Sequence, residues 1–270
     1  MLGADLMATL ARQPRCSAVG LDLPDIDIAE RVSVEKALDE TAPSVVVNCA
    51  AYTDVDGCET DTERAMAVNA EGPGHLAREC DKLGARLIHI STDFVFDGRK
   101  DRPYSEDDEP NPLSFYGVSK LAGERRVADA GGEWAIARTA WLYGRNGKNF
   151  VDTMLKLARE RGELKVVTDQ AGSPTWTRDL AAALLALIEA KATGLFHAAN
   201  EGVCSRYEMV QAMLAFAGLR ARLEPVDSSA FPRPATVPAY SALDSSKLAR
   251  VAQCRMRPWQ DALRDYVCAR

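Results

Sequence analysis

Three consecutive apolar residues, Val45-Val46-Val47, constrain this chain more than any other feature. A strand with no polar alternation must be covered on both faces, which is the condition inside a parallel sheet. Similar short runs recur: Cys16–Leu21, Val45–Ala50, Leu87–Ile90, Ala135–Ala140, Lys165–Thr168 and Leu195–Ala198 read as strands. Between and around them, Ser33–Glu40, Glu63–Leu83, Phe115–Ala130, Phe150–Glu160 and Thr177–Ala190 carry helical periodicity. The alternation predicts an α/β protein with a parallel sheet between layers of helices. Ligands of such sheets bind beyond the C-terminal strand ends. Two polar segments fall there, Asn48-Cys49-Ala50-Ala51-Tyr52-Thr53 and Ser91-Thr92-Asp93.

Composition excludes several classes. A net charge of −6 with signs mixed along the chain argues against nucleic acid as the main partner. No run approaches the roughly 18–20 apolar residues of a membrane span, so no membrane association is expected, and no basic leader precedes an apolar core at the start of the sequence. The seven cysteines are odd in number and none are spaced as Cys-x-x-Cys. Reduced thiols in a cytoplasmic protein are expected, without a disulfide framework. His75, His89 and His197 are scattered, and no metal site is expected.

The chemistry concentrates in Ser114-Phe115-Tyr116-Gly117-Val118-Ser119-Lys120. Tyr116 and Lys120 are one helical turn apart, which sets a phenol and an ammonium on one face. A phenol titrates near 10 and transfers protons poorly at neutral pH. A neighbouring cation is expected to draw it toward useful range. Thr92, closing the strand that begins near Leu87, would add a hydroxyl. A hydroxyl at a strand's C-terminal end, followed by a Tyr/Lys helix, is the arrangement needed to polarise a carbonyl oxygen and protonate it.

The pattern shifts after about residue 170. Ser205 and Glu208 form a capping box opening a helix through Ala217. A loop with Pro225, Pro232, Pro234 and Pro238 follows, then short helices near Ser245 and at Pro258. A smaller C-terminal lobe, completing a cleft with the sheet, is expected.

Six motifs occur in one order: Asn48 to Asp56, Val68-Asn69, Ser91-Thr92-Asp93-Phe94-Val95-Phe96-Asp97-Gly98, Tyr116 to Lys120, Gly147-Lys148-Asn149-Phe150, and Asp169 to Thr175. Together they resemble the extended short-chain dehydrogenase/reductase superfamily, and within it the dTDP-4-dehydrorhamnose reductase family. The resemblance runs from Met1 to about Tyr266. It implies a Rossmann-like doubly wound parallel sheet with a smaller C-terminal α/β substrate lobe. The cofactor-binding unit would comprise residues 1–145 and part of 150–200, and the substrate lobe about 146–175 and 200–270, interleaved with it.

The implied activity is reduction of the C4 ketone of a 4-keto-6-deoxy nucleotide sugar by NADPH or NADH, in the cytoplasm. Tyr116 would be the general acid. Lys120 would lower its pKa and hold the nicotinamide ribose, and Thr92 would hydrogen-bond the same carbonyl oxygen. Gly3, Asp22, Asp27, Ile28, Ala50, Ala51, Tyr52 and Asn69 would contact the cofactor together with Tyr116 and Lys120. Asp93, Phe94, Trp141 and Asn149 would line the sugar-nucleotide cleft. Some relatives are metal-linked dimers; a homodimer is therefore an expected assembly, with no metal assigned. Two other readings compete: a nucleotide-sugar epimerase or dehydratase that retains its NAD, and a non-catalytic binding or regulatory protein.

The sequence departs from the family at two places. Gly3 reads as the last glycine of the family's glycine-rich turn, so a first strand and two more glycines, about ten residues, are expected to precede Met1 in a longer protein. If they are absent altogether, weak cofactor binding is expected instead. Near residue 237 the family has Arg-Pro before Asn-Ser, where this chain has Val237-Pro238-Ala239-Tyr240-Ser241. The arginine is gone, and Arg233 is the nearest substitute. Asp22, ending the second expected strand, would accept from a ribose 2′-hydroxyl and favour NADH.

Overall fold

The computed structural model describes residues 1–269. The chain opens with helix α1 (Leu2–Leu10), which turns Leu2 and Leu6 into the core. Residues 11–30 form no helix or strand, and α2 (Arg31–Thr41) follows. Strand β1 (Val45–Asn48) leads into the short helices α3 (Gly57–Thr60) and α4 (Thr62–Met66). A single π-turn, Ala67–Glu71, then joins α4 to α5 (Gly72–Leu83). Next come β2 (Arg86–Thr92), a 3-10 turn at Asp93–Val95, α6 (Phe115–Asp129) and β3 (Glu133–Thr139). Beyond them lie β4 (Leu142–Tyr143), α7 (Phe150–Arg161), β5 (Glu163–Val167), β6 (Ala171–Gly172), β7 (Thr175–Trp176) and α8 (Thr177–Glu189). The chain finishes with β8 (Gly194–His197), β9 (Cys204–Ser205), α9 (Arg206–Phe216), β10 (Arg222–Val226), α10 (Ser246–Val251) and α11 (Trp259–Cys268).

The central sheet has the order β1-β2-β3-β8, and every neighbouring pair is parallel. Helices α1 and α8 pack together, and their apolar faces share a core with Ile88, Ala135, Ala137 and Phe196 of the sheet. Helices α2 and α5 share a second core with Leu87 and Ile136, which point to the opposite face because successive strand residues alternate. The sheet is thus covered on both sides, as the Val45-Val46-Val47 run requires.

One expected strand does not form. Cys16–Leu21 is irregular and mostly exposed, with Val19 at 65% and Leu21 at 40% of full exposure. A strand exists by pairing its backbone groups, and no described residue pairs with this segment, so apolar composition alone does not make it one. As a consequence β1 is hydrogen-bonded only to β2, and its three valines are half-buried rather than enclosed.

The strand expected at Lys165–Thr168 forms as Glu163–Val167, but outside the main sheet. It pairs in parallel with β10. Helices α7, α9 and α11 pack beside this pair around Val151, Leu155, Met213, Leu263 and Tyr266, a core distinct from the two that flank the sheet. The capping box of α9 is complete: the Ser205 hydroxyl accepts from the Glu208 amide at 3.1 Å, and the Ser205 amide donates to the Glu208 carboxylate at 2.7 Å. The helix expected as one piece over Glu63–Leu83 is instead interrupted by the π-turn that carries Asn69. Such one-residue widenings concentrate at functional sites.

Candidate active site

Three elements meet at the C-terminal end of β2. The strand ends on Thr92, whose hydroxyl accepts from the amide of Phe94 at 3.2 Å and so starts the turn at Asp93–Val95. Helix α6 begins at Ser114, whose hydroxyl caps the amide of Gly117 at 3.3 Å. Gly117 lets the helix lie directly on the turn, because a Cβ at this position would overlap the carbonyl oxygen of Phe94. Tyr116 is thereby carried to the strand end. Its phenol lies near the Thr92 hydroxyl, and its ring meets the Phe94 ring edge-on at 5.6 Å. The two groups expected to converge on a ketone oxygen come to the same strand end.

Lys120 is fully buried one turn further along. Its ammonium donates to the carbonyl of Ile90 at 2.7 Å and lies 3.5 Å from Nε2 of His89. Burial pulls it down to about 8, against the opposing pull of Glu124 and Cys49. Here the structure corrects an expectation. Lys120 does not lower the phenol of Tyr116 toward neutrality. Burial pushes that phenol above its usual value; Thr92 partly counters this, and Asp93 and Cys58 add to it. The ammonium is turned to the strand carbonyl, and its charge does not bear on the phenol.

A second layer fixes these groups. Glu124, one turn beyond Lys120 on α6, accepts from Ser91 at 2.5 Å and from Arg138 at 2.8 and 2.6 Å. Helix α6, strand β2 and strand β3 are pinned together beneath the site. His89 is held by Asn48, whose side-chain amide lies 3.1 Å from Nδ1, while the Asn48 oxygen accepts from the Ala50 amide at 3.0 Å. Burial, then the charge of Lys120, holds His89 well below its ordinary value, so the ring is neutral.

Asn69 clamps the loop after β1. Its oxygen accepts from the Tyr52 amide at 2.8 Å, and its amide nitrogen donates to the Tyr52 carbonyl at 3.0 Å and to Ser119 at 3.1 Å. Residues Ala50, Ala51 and Tyr52 therefore run past the strand end in one fixed conformation, beside the helix that carries Tyr116. Gly3 lies in the first turn of α1, where a Cβ would meet no atom within 4 Å. Asp22 stands in an exposed turn rather than at a strand end: its carboxylate accepts from the Leu23 amide and its carbonyl from the Asp25 amide. Asp27 caps its own loop by accepting from the Ala29 amide, and Ile28 is buried against Gly72 and the α5 core.

The residues expected to line the sugar-nucleotide cleft divide. Phe94 flanks Tyr116. Trp141 is half-buried with a left-handed backbone (φ 47°), its ring packed on Gly172, where a Cβ would strike the indole. Asp93 is buried rather than open: it accepts from Thr92 at 3.0 Å and from Ser241 at 2.5 Å, and burial lifts its carboxyl to about 6. Asn149 is committed inside the fold. Its oxygen caps α7 through the Asp152 amide at 3.0 Å, and its nitrogen donates to the carbonyl of Gly144 at 2.8 Å.

Sequence reasoning missed Glu124, Arg138 and Ser241. Glu124 was within reach, since it repeats the one-turn spacing from Lys120. Arg138 and Ser241 come from distant segments and carry no local signal.

A parallel α/β sheet with a phenol, a hydroxyl and a buried lysine at its C-terminal edge, beside a loop held by an asparagine on a π-turn, defines the nucleotide-cofactor-binding class of the short-chain dehydrogenase/reductase fold. Residues 1–269 match the RmlD substrate binding domain family. A dTDP-4-dehydrorhamnose reductase of Mycobacterium tuberculosis is 48% identical over 97% of this chain and 88% of its own length. Among solved structures, a dTDP-4-dehydrorhamnose reductase of Clostridium acetobutylicum superposes with a TM-score of 0.95 at 41% identity, covering 98% of this chain and 94% of that one. The Bacillus anthracis reductase, solved in complex with NADP, gives 0.96 at 34% identity, covering 100% and 95%. The chain belongs to the dTDP-4-dehydrorhamnose reductase family.

Proposed function

We propose that the protein reduces the C4 ketone of a 4-keto-6-deoxy sugar nucleotide with a reduced nicotinamide cofactor. The carrying observation is that Thr92 and Tyr116, both buried, come side by side at the C-terminal end of the sheet. Family membership supplies the substrate class, since the relatives at 48% and 41% identity carry that activity in their names.

The residues present fit the cofactor. Asn69 presents the backbone of Ala50 to Tyr52 along one wall, and the first turn of α1 has open space at Gly3 where a backbone can approach a phosphate. Ala50, Ala51, Tyr52, Asn69, Tyr116 and Lys120 would hold its nicotinamide end, and Gly3 its phosphates. Asp22, Asp27 and Ile28 would stand on the adenosine side. When bound, the cofactor supplies the hydride.

The chain's own residues do the rest. Tyr116 keeps its proton at rest, because burial raises its pKa, and gives it to the oxygen as negative charge develops there. Thr92, turning its hydroxyl from Asp93, donates to the same oxygen. Lys120, released from the Ile90 carbonyl, would hold ribose hydroxyls and bring a positive charge toward the phenol. Phe94 and Trp141 supply apolar walls. Asp93 acts on the cleft through Thr92, and Asn149 through the α7 end that it caps. Residues 1–145 with part of 150–200 would form the cofactor-binding unit, and about 146–175 with 200–270 the substrate lobe. A cytoplasmic enzyme, alone or as a homodimer, completes the reading; among the described residues no helix is long and apolar enough to cross a membrane.

The test is consumption of NADPH or NADH with dTDP-4-keto-6-deoxy-L-mannose, followed by loss of reduced-nicotinamide absorbance. Tyr116→Phe is expected to lower kcat by roughly 10²- to 10⁴-fold without altering the melting temperature. A Tyr116→Phe enzyme as fast as the parent refutes the assigned proton donor.

A further inference from the structure

We propose that Arg206 receives the diphosphate of the sugar nucleotide and so sets the affinity of the cleft for charged substrates. The inference rests on the reading of the substrate as a sugar nucleotide and adds a residue to it.

A diphosphate entering this cleft meets an unfavourable charge. Asp93 lies buried at its floor, bonded to Thr92 and Ser241. A cation with unused donors is needed. Lys120 is engaged with the Ile90 carbonyl. Arg233, the nearest replacement for the family arginine absent near residue 237, is held by Asp56 at 2.9 Å. Arg206 differs from both. Its side chain is half-buried, and among the described residues no hydrogen bond or ion pair reaches its guanidinium.

Its position is nevertheless built. The guanidinium carbon lies 3.4 Å from the centre of the Trp141 ring and 4.9 Å from that of Phe150. Trp141 is itself held by a left-handed backbone and by Gly172 behind its ring. The capping box at Ser205 and Glu208 fixes the backbone from which Arg206 projects. A guanidinium stacked flat on an aromatic ring keeps its edge donors available, and those donors match a phosphate in pairs. Asp93 attracts the guanidinium electrostatically, and burial draws it down to about 10. A half-buried cation without a hydrogen-bonded partner is costly, and an incoming dianion would repay that cost.

The experiment uses the full chain and two probes, dTDP by calorimetry and the keto-sugar nucleotide by steady-state kinetics. Arg206→Met is expected to weaken dTDP roughly 10- to 100-fold and to raise KM similarly, with kcat changed by less than about threefold. Arg206→Lys, which retains a charge but not the paired donors, is expected to fall between the two. Melting temperatures of both variants should match the parent. The proposal is overturned if dTDP affinity in Arg206→Met stays within about twofold of the parent, if the lysine variant is as defective as the methionine variant, or if the parent itself does not bind dTDP. A parent that binds dTDP but reduces no keto-sugar would instead refute the assigned reaction and leave the dTDP comparison to judge Arg206.

Discussion

Arg138 grips Glu124 through two hydrogen bonds, Nε to Oε1 at 2.8 Å and Nη2 to Oε2 at 2.6 Å, with both side chains less than a tenth exposed. Ser91 donates to the same Oε1. This joint ties the helix bearing Tyr116 and Lys120 to the strand ending in Thr92. Removing one partner leaves the other charge buried and uncompensated. Arg138→Met is expected to cost about 3–5 kcal/mol, read by urea denaturation. The double variant Arg138→Met/Glu124→Leu should recover most of it, since no charge then remains. A single variant within about 1 kcal/mol of the parent would show the joint to be dispensable.

Gly117 sets the distance between α6 and the Asp93–Val95 turn. The obstacle to a Cβ there is the backbone oxygen of Phe94, which no rotamer change can move. Gly117→Ala is expected to destabilise by about 1–3 kcal/mol and to lower kcat, because Tyr116 shifts away from Thr92. Thermal unfolding and kinetics on the same preparation check both. Unchanged values in both would mean that helix and turn separate freely.

Asp93 gives the fold a pH signature. Its folded pKa of about 6 lies above the ordinary aspartate value of 3.8, so its contribution to stability is full below the unfolded pKa and is lost as pH rises through 6. Relative to Asp93→Asn, which does not titrate, the parent should lose on the order of 1–3 kcal/mol between about pH 4 and pH 6.5. Denaturation curves for both proteins across that range provide the measurement. A pH-independent gap between them would contradict the burial of Asp93.

Ser241 reaches Asp93 from the proline-rich segment at 2.5 Å. Its bond is charge-assisted only when the carboxyl is ionised. Ser241→Ala should therefore cost about 1–3 kcal/mol at pH 7.5 and distinctly less at pH 4.5. An equal loss at both values would show that the hydroxyl does not sense the charge of Asp93.

Much of the fold was legible because it is local. The spacing of apolar residues gave α6, α7 and α8 to within a residue or two, and the capping box of α9 was visible as Ser205 and Glu208. The pairing of Tyr116 with Thr92 could be expected because a helix following a parallel strand returns over that strand's C-terminal end. Cys16–Leu21 failed for the converse reason: its apolar residues are those of a strand, yet pairing depends on a neighbour elsewhere in the chain.

The sequence by itself determined the alternation of strands and helices, the family, and the placement of Tyr116 and Lys120 one turn apart on a helix, since each depends on residues close together in the chain. Tertiary structure alone decided where the charge of Lys120 points, that Asp93 is buried under Ser241, that Asn149 is spent on a helix cap, and that Arg206 lies on Trp141. Burial and long-range contact set those outcomes. Both arise only when segments separated by tens to hundreds of residues are brought into one core, and no local pattern encodes the electrostatic environment that results.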